Sequence, residues 1–292
     1  STHYFTFLDY KDEHTKNLYN SFNDQKLLGH RVNIFKKQNN LDYKTSLNYN
    51  ILCLLLFVNL KVSKNFEYLK RLDDKTYCAF DHPFIQIDDY MISSDKIISL
   101  FDFDRINTFF KLHEKSKVLE IGAGSGRLCE CILSINSNIN YTICDIPPSI
   151  YIAYERMKLR FPEKKIKLLI DVKDKIDLIN EIEKNDITFI FPHQIEIIKQ
   201  KIFEISIAVD CFHEMDKKTL EYYFKNLNII SQNFYFSVWK KTKNWGSGNL
   251  FKKTENLNFE NGDYNVPINW EESYKKELEF PSNQIAVGYK IK

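Results

Sequence analysis

Three of the chain's eight glycines fall within five residues, in Gly122-Ala123-Gly124-Ser125-Gly126. They stand directly behind the run Lys117-Val118-Leu119-Glu120-Ile121, which reads as a short buried strand. Behind the loop, residues 127–135 carry Leu128, Ile132 and Leu133 at helical spacing. A strand that runs into glycines and opens a helix can hold a nucleotide. Glycine lets the backbone approach a ligand with no Cβ in the way, and the helix start offers unpaired N–H donors. Spacing then narrows the ligand. A dinucleotide fingerprint needs glycine at relative positions 1, 3 and 6, and counting from Gly122 the sixth residue is Arg127. Glycine instead recurs at every second residue, with Glu120 just ahead of the set.

Asp145 follows a second apolar run, Tyr141-Thr142-Ile143-Cys144, and so stands at a strand end. An aspartate there can accept both hydroxyl protons of a ribose, a bidentate contact that neutral side chains mimic poorly. In a plain turn it would instead cap the helix behind Pro147-Pro148. An acidic residue ahead of alternating glycines is the pattern associated with S-adenosylmethionine (SAM). A sulfonium amino acid carries no pyrophosphate, so such a loop packs against the methionine portion and ribose, while a carboxylate helps orient the cationic amino end. The expected cofactor-binding residues are Glu120, Gly122, Ala123, Gly124, Gly126, Asp145, Ile146, Phe191, Pro192, Gln194 and Asp210.

The elements that position these residues can be read from periodicity. Residues 1–112 read mainly as helix, with Leu47, Ile51, Leu54, Leu55 and Val58 at helical spacing and a further helix over 96–112. A short extended piece is expected near His82-Pro83-Phe84-Ile85-Gln86-Ile87, because the residue before proline is pushed out of the helical region. From residue 113 strands alternate with helices. Strands are expected at 117–121, 141–144, 187–191, 206–210 and 233–239, with helices over 127–135, 149–161, 173–184 and 217–227. That alternation predicts an α/β fold with a mostly parallel sheet. Residues 240–265 read as a long polar loop, and strands near 270–278 and 284–291 as an antiparallel hairpin on the sheet edge. The expected organisation is a helical extension or substrate cover over 1–112 and a cofactor-binding domain over 113–292.

From about residue 117 to the end, these features resemble a class I SAM-dependent methyltransferase, including the terminal hairpin that separates that fold from dinucleotide-binding relatives. A narrower resemblance rests on Asp145-Ile146-Pro147-Pro148-Ser149, Tyr151-Ile152-Ala153-Tyr154, Phe191-Pro192-His193-Gln194, Phe212-His213-Glu214-Met215 and Tyr235-Phe236-Ser237-Val238. These are similar to a bacterial family of sugar O-methyltransferases. The chain departs from it at Cys211, where that family often has a small polar residue, and at Trp239, where it often has Asn. The resemblance implies a Rossmann-like seven-stranded sheet with a terminal antiparallel hairpin and SAM as cofactor. It also implies transfer to a hydroxyl of a sugar or sugar-derived intermediate, in the biosynthesis of surface glycans such as capsule or lipopolysaccharide.

Methyl transfer from a sulfonium is an in-line displacement: the acceptor oxygen must be held against the methyl carbon and lose its proton as charge develops. Open α/β sheets place their crevice at the carboxyl ends of the strands. There His213 is the candidate base, with Glu214 orienting it or binding an acceptor hydroxyl. The structural alternative has Glu214 capping the next helix and His213 merely packing; a cation site centred on His213 is a further alternative. His193 and Gln194 follow the third strand, where methyltransferases commonly contact adenine, and Phe191 either stacks on the base or joins the core. His82, Tyr90, His193 and Trp239 are the expected substrate-binding residues. His82 and Tyr90 belong with Asp88 and Asp89 to a polar-aromatic cluster that either covers the acceptor or is a solvated loop. Trp239-Lys240-Lys241-Thr242-Lys243-Asn244-Trp245 reads as a stacking platform, a clamp for a phosphorylated sugar, or a solvated basic loop.

Composition bounds the alternatives. The 292 residues are 43% hydrophobic and 27% charged, which excludes wholesale disorder. Forty-one Lys plus Arg against 39 Asp plus Glu leave a net charge of +2, which argues against a dedicated nucleic-acid binder. No segment reaches the roughly 18 to 20 apolar residues a membrane span needs, and Ser1-Thr2-His3-Tyr4 does not open a signal peptide. Six cysteines, at 53, 78, 129, 131, 144 and 211, show neither a disulfide framework nor paired zinc spacing, so reduced thiols in a cytoplasmic enzyme without a metal are expected. The partner is a small-molecule or glycan acceptor, with a homodimer left open. Amino-methylating enzymes of nucleic acids and glutamine often carry Asn/Asp-Pro-Pro-Tyr/Phe after the fourth strand, where this chain has Asp210-Cys211-Phe212-His213. The competing readings are a methyltransferase of another small phosphorylated metabolite and a non-catalytic methyltransferase-like partner subunit.

Overall fold

The computed structural model describes residues 25–27, 30–34, 43–72, 85–172, 174–242, 257–278 and 283–292. The chain divides into two compact units, Ser1–Asp104 and Arg105–Lys292.

In the first unit β1 (Gln25–Leu27), β2 (His30–Ile34), β3 (Ile85–Ile87) and β4 (Tyr90–Ile92) form an antiparallel sheet in sequential order. The helix α1 (Tyr43–Lys61) buries Leu52, Cys53, Leu56, Phe57 and Leu60. A 3-10 helix follows at Lys64–Arg71, started by Ser63, whose hydroxyl accepts from the Asn65 N–H at 3.2 Å. Helices hold most of the described residues of this unit, as expected, but a small sheet accompanies them, and the extended piece near Ile85 is one of its strands. Strands of three to five residues are too short to show alternation above the noise of sequence. Their pairing, Val32 with Ile87 for example, joins segments far apart in the chain. The helix α2 (Ser94–Phe109) begins in this unit and ends in the second.

The second unit holds an eight-stranded sheet. Its strands are β5 (Lys117–Ile121), β6 (Asn140–Cys144), β7 (Ile166–Leu168), β8 (Ile187–Ile190), β9 (Phe203–Val209), β10 (Ser231–Trp239), β11 (Trp270–Leu278) and β12 (Gln284–Ile291). Their order is β11-β12-β10-β9-β5-β6-β8-β7, and β12 alone runs against the rest. The parallel α/β sheet with a terminal antiparallel hairpin is therefore present, with eight strands where seven were expected. The added strand, β7, is an edge strand with half-exposed ends and an exposed centre, so it carries no apolar pattern to betray it.

Helices α3 (Arg127–Ile135), α4 (Ser149–Arg160), α5 (Lys175–Lys184), α6 (Pro192–Ile195) and α7 (Lys217–Ile230) connect the strands. One sheet face, carrying Leu119, Ile121, Phe234 and Phe236, forms a buried cluster with Leu178 and Ile182 of α5 and with Leu220, Phe224 and Leu227 of α7. On the opposite face Tyr154 of α4 meets Phe189 edge-on at 5.4 Å, and Phe109 lies 6.4 Å from Tyr235. Strand β6 lies on one side of β5 and β9 on the other, so the chain reverses direction across the sheet at β5. The carboxyl ends of β5 and β9 flank this switch point, where ligands of open α/β sheets bind. Of the expected loop over 240–265, residues 243–256 lie outside the described set; 257–265 fold back through an isolated pairing of Lys241 with Asn258 and a 3-10 turn at Phe259–Asn261.

Candidate functional site

The loop after β5 puts Gly122, Gly124 and Gly126 at φ of 69°, 57° and 78°, the left-handed region in which a side chain is strained. At Gly122 packing adds to this, since a Cβ would lie 2.5 Å from Cys211 Cβ and 2.8 Å from its Sγ. Gly124 is different: a Cβ there would meet nothing within 4 Å, so its backbone borders open space. Gly122 N–H donates to the Cys144 carbonyl at 2.9 Å, which ties the loop to the end of β6.

Asp145 stands at that strand end and faces the loop. Its Oδ2 accepts from Gly124 N–H at 2.8 Å and its Oδ1 from Ile146 N–H at 2.7 Å. Burial pushes its carboxyl up from the ordinary range, and the two backbone N–H bonds pull the other way. Each oxygen keeps lone-pair capacity after one such bond. Ala123 is buried beside it, and Ile146 is 60% exposed. The alternative of Asp145 as a helix cap is not what is seen, because α4 begins behind Pro148 with no side-chain cap.

Asp210 ends β9 in a left-handed conformation, φ 58°. Its carboxylate accepts from Arg127 Nη2 at 3.2 Å and from Gln284 Nε2 of β12. Beyond it the turn Phe212–Glu214 places His213 with 6% exposure, its ring stacked on Trp239 at 4.7 Å and 13°. His213 Nδ1 has no hydrogen-bond partner, and burial pushes the imidazole down to about 4. Glu214 is exposed and makes no bond to that nitrogen. Nor does it cap the next helix: Asp216 does, accepting from Thr219 N–H at 2.7 Å.

Other expected residues have partners within the fold. Gln194 is fully buried, its Oε1 accepting from Phe191 N–H at 2.8 Å and its Nε2 donating to the Val172 carbonyl at 3.3 Å. Each end of the amide thus has a partner within the fold, and the bond to Phe191 N–H shapes the turn after β8. The Pro192 carbonyl accepts from Tyr222 Oη at 2.7 Å. Glu120 is likewise buried, and its carboxylate accepts the Tyr141 hydroxyl at 2.9 Å. Phe191 is half-buried, edge-on to Tyr151 at 6.5 Å and stacked with exposed His193 at 6.0 Å. Tyr90 lies in the first unit against Phe57 and Phe66, and His82 lies outside the described residues. Thus the structure joins Gly124 with Asp145, Asp210 with Arg127, His213 with Trp239, and Phe191 with His193.

Sequence reasoning missed Arg127 and Gln284 at Asp210, and the buried pair Glu130 and Arg156 with half-buried Arg160 beside it. Glu130 Oε2 accepts from Arg156 Nε at 2.9 Å, and its Oε1 lies 2.9 Å from Arg160 Nε. A glutamate between Cys129 and Cys131 in an otherwise apolar helix was the available signal. Among the described residues no group of three or more His, Cys, Asp or Glu is placed to hold a metal ion, and no helix is long and apolar enough to cross a membrane.

No family model and no curated protein matches the sequence. Solved structures with a similar chain trace include the pyocyanin biosynthetic protein PhzM, at 11% identity and TM-score 0.44, covering 67% of this chain and 56% of that one. PigF with SAH is similar at 10% identity and TM-score 0.42, covering 67% and 57%. A SAM dependent methyltransferase from Aquifex aeolicus follows at 15% identity and TM-score 0.42, covering 79% and 100%. The chain thus spans little more than half the length of the first two. At TM-scores of 0.42 to 0.44 these likenesses assign no activity to it.

Proposed function

We propose that the chain is a SAM-dependent O-methyltransferase acting on a hydroxyl of a sugar or sugar-derived intermediate. One observation carries the cofactor reading: the glycine loop and Asp145 meet at the switch point of the sheet, with the open backbone of Gly124 bonded to the Asp145 carboxylate. When bound, the sulfonium supplies the methyl group. Gly124 gives the ligand backbone without a Cβ, and the spare lone pairs of Asp145 accept ribose hydroxyls. His213 is the candidate base. Its ring is neutral at neutral pH, and as the base it would take the acceptor's proton while the methyl carbon passes from the sulfonium sulfur to the acceptor oxygen. Stacking on Trp239 fixes the plane of that ring. The sugar class is supported by the motif resemblance.

Calorimetric titration with SAM, followed by a methyl-donor assay against nucleotide sugars and glycans, tests the reading. SAM should bind, and Asp145→Ala should weaken it by roughly ten- to hundredfold, the loss of a charged hydrogen-bonding group. Absence of heat with the wild-type chain would favour the non-catalytic partner instead. The phosphorylated-metabolite reading draws on the basic run at 240–243; Lys240 within it is already paired with Glu277.

A further inference from the structure

We propose that Arg156 is a positioning residue: anchored on Glu130, its guanidinium holds Ser125 and thereby presets the loop 122–126 before a ligand arrives. The link to SAM rests on the function proposed above; the grip on the loop does not.

Arg156 and Glu130 are buried, with 7% and 1% exposure, at the contact of α3 and α4. Arg156 Nε donates to Glu130 Oε2 at 2.9 Å, and its Nη1 donates to Ser125 Oγ at 3.0 Å and, at 3.5 Å, to the Ser125 carbonyl. If the two helices only had to pack, apolar side chains would do it better. Replacing a buried ion pair by hydrophobic residues of similar volume is often neutral or stabilising. What an apolar side chain cannot do is grip a serine in a neighbouring loop. The planar fork of arginine can hold two partners at once, with one edge on the anchor and the other on the loop.

The loop needs such a grip. Three of its five residues sit at positive φ and are glycines, the residues with most conformational freedom to lose. Asp145 holds Gly124 from the end of β6, and Arg156 holds Ser125 from α4, the helix that follows the same strand. The β6–α4 unit therefore grips two adjacent loop residues. A loop fixed beforehand spares a ligand the cost of ordering it.

The test uses the full chain without ligand and then with SAM. Ser125→Ala removes the hydroxyl and leaves the Arg156–Glu130 pair intact, so the chain should stay folded with only a small fall in its thermal midpoint. Amide hydrogen exchange at 124–126 should rise about tenfold, and the Kd for SAM should rise roughly tenfold, as expected for one charge-assisted bond. Ser125→Thr, which keeps the hydroxyl, should restore both, and Arg156→Lys, which keeps the charge and loses the fork, should behave like Ser125→Ala. Wild-type exchange and wild-type affinity in Ser125→Ala would overturn the proposal. A wild-type chain that gives no heat with SAM would overturn the cofactor reading instead, and the exchange measurement would still decide the role of Arg156.

Discussion

His213 carries its imidazole into a nearly closed site where stacking on Trp239 replaces water. Burial disfavours the charged ring, so the folded-state pKa falls to about 4 from an ordinary 6.5. Between those values the unfolded chain binds a proton that the folded chain refuses. The contribution of neutral His213 is therefore complete above about pH 6.5 and is lost as pH falls toward 4, on the order of 3 kcal/mol in all. Urea unfolding at neutral pH and near pH 4 should show that loss in the wild type and not in His213→Phe; equal losses in both would refute it. The glycines divide by the same kind of reasoning. Gly124→Ala meets open space, so only the left-handed backbone costs, about 1–2 kcal/mol. Gly122→Ala adds the collision with Cys211 and should lose at least about 2 kcal/mol, measured in the same unfolding experiment. The reason for glycine at 122 was legible only as a turn signal. That it faces Cys211, 89 residues further along, was not.

Among the elements, the strands with full apolar runs were legible and the short ones were not. β5, β6 and β8–β10 announce themselves because both faces of a parallel strand are buried, whereas three-residue β7 at the edge has no such pattern. Gly288 in β12 shows a different limit. Nothing in the run Gln284–Ile291 explains a glycine in a strand, until the last turn of α2 brings Phe109 over it. A Cβ at Gly288 would lie 2.5–2.7 Å from that ring. Gly288→Ala should therefore destabilise by about 1–3 kcal/mol. Phe109→Leu in the same chain should recover part of the loss. Additive losses in the double variant, read by denaturant midpoints, would show that the two residues do not meet.

At the scale of the molecule, the loop 122–126, Asp145, Asp210, His213 and Arg156 all lie within Arg105–Lys292. A chain beginning at Arg105 should thus bind SAM with the affinity of the whole chain, by calorimetry; loss of binding in a folded fragment would mean that the first unit supplies part of the cofactor site. Sequence alone determined the glycine loop, the parallel α/β alternation and the terminal hairpin. These follow from local chemistry: positive φ calls for glycine, and a buried strand calls for an unbroken apolar run. Only the tertiary structure decided the partners. Asp210 meets Gln284 across 74 residues, Arg156 reaches Ser125 across 31, and in the first unit the extended piece at Ile85–Ile87 finds its partners in three short strands that the sequence did not announce. Such pairings depend on the order of strands in the sheet and on which helix face turns inward, and the spacing of residues along the chain encodes neither directly.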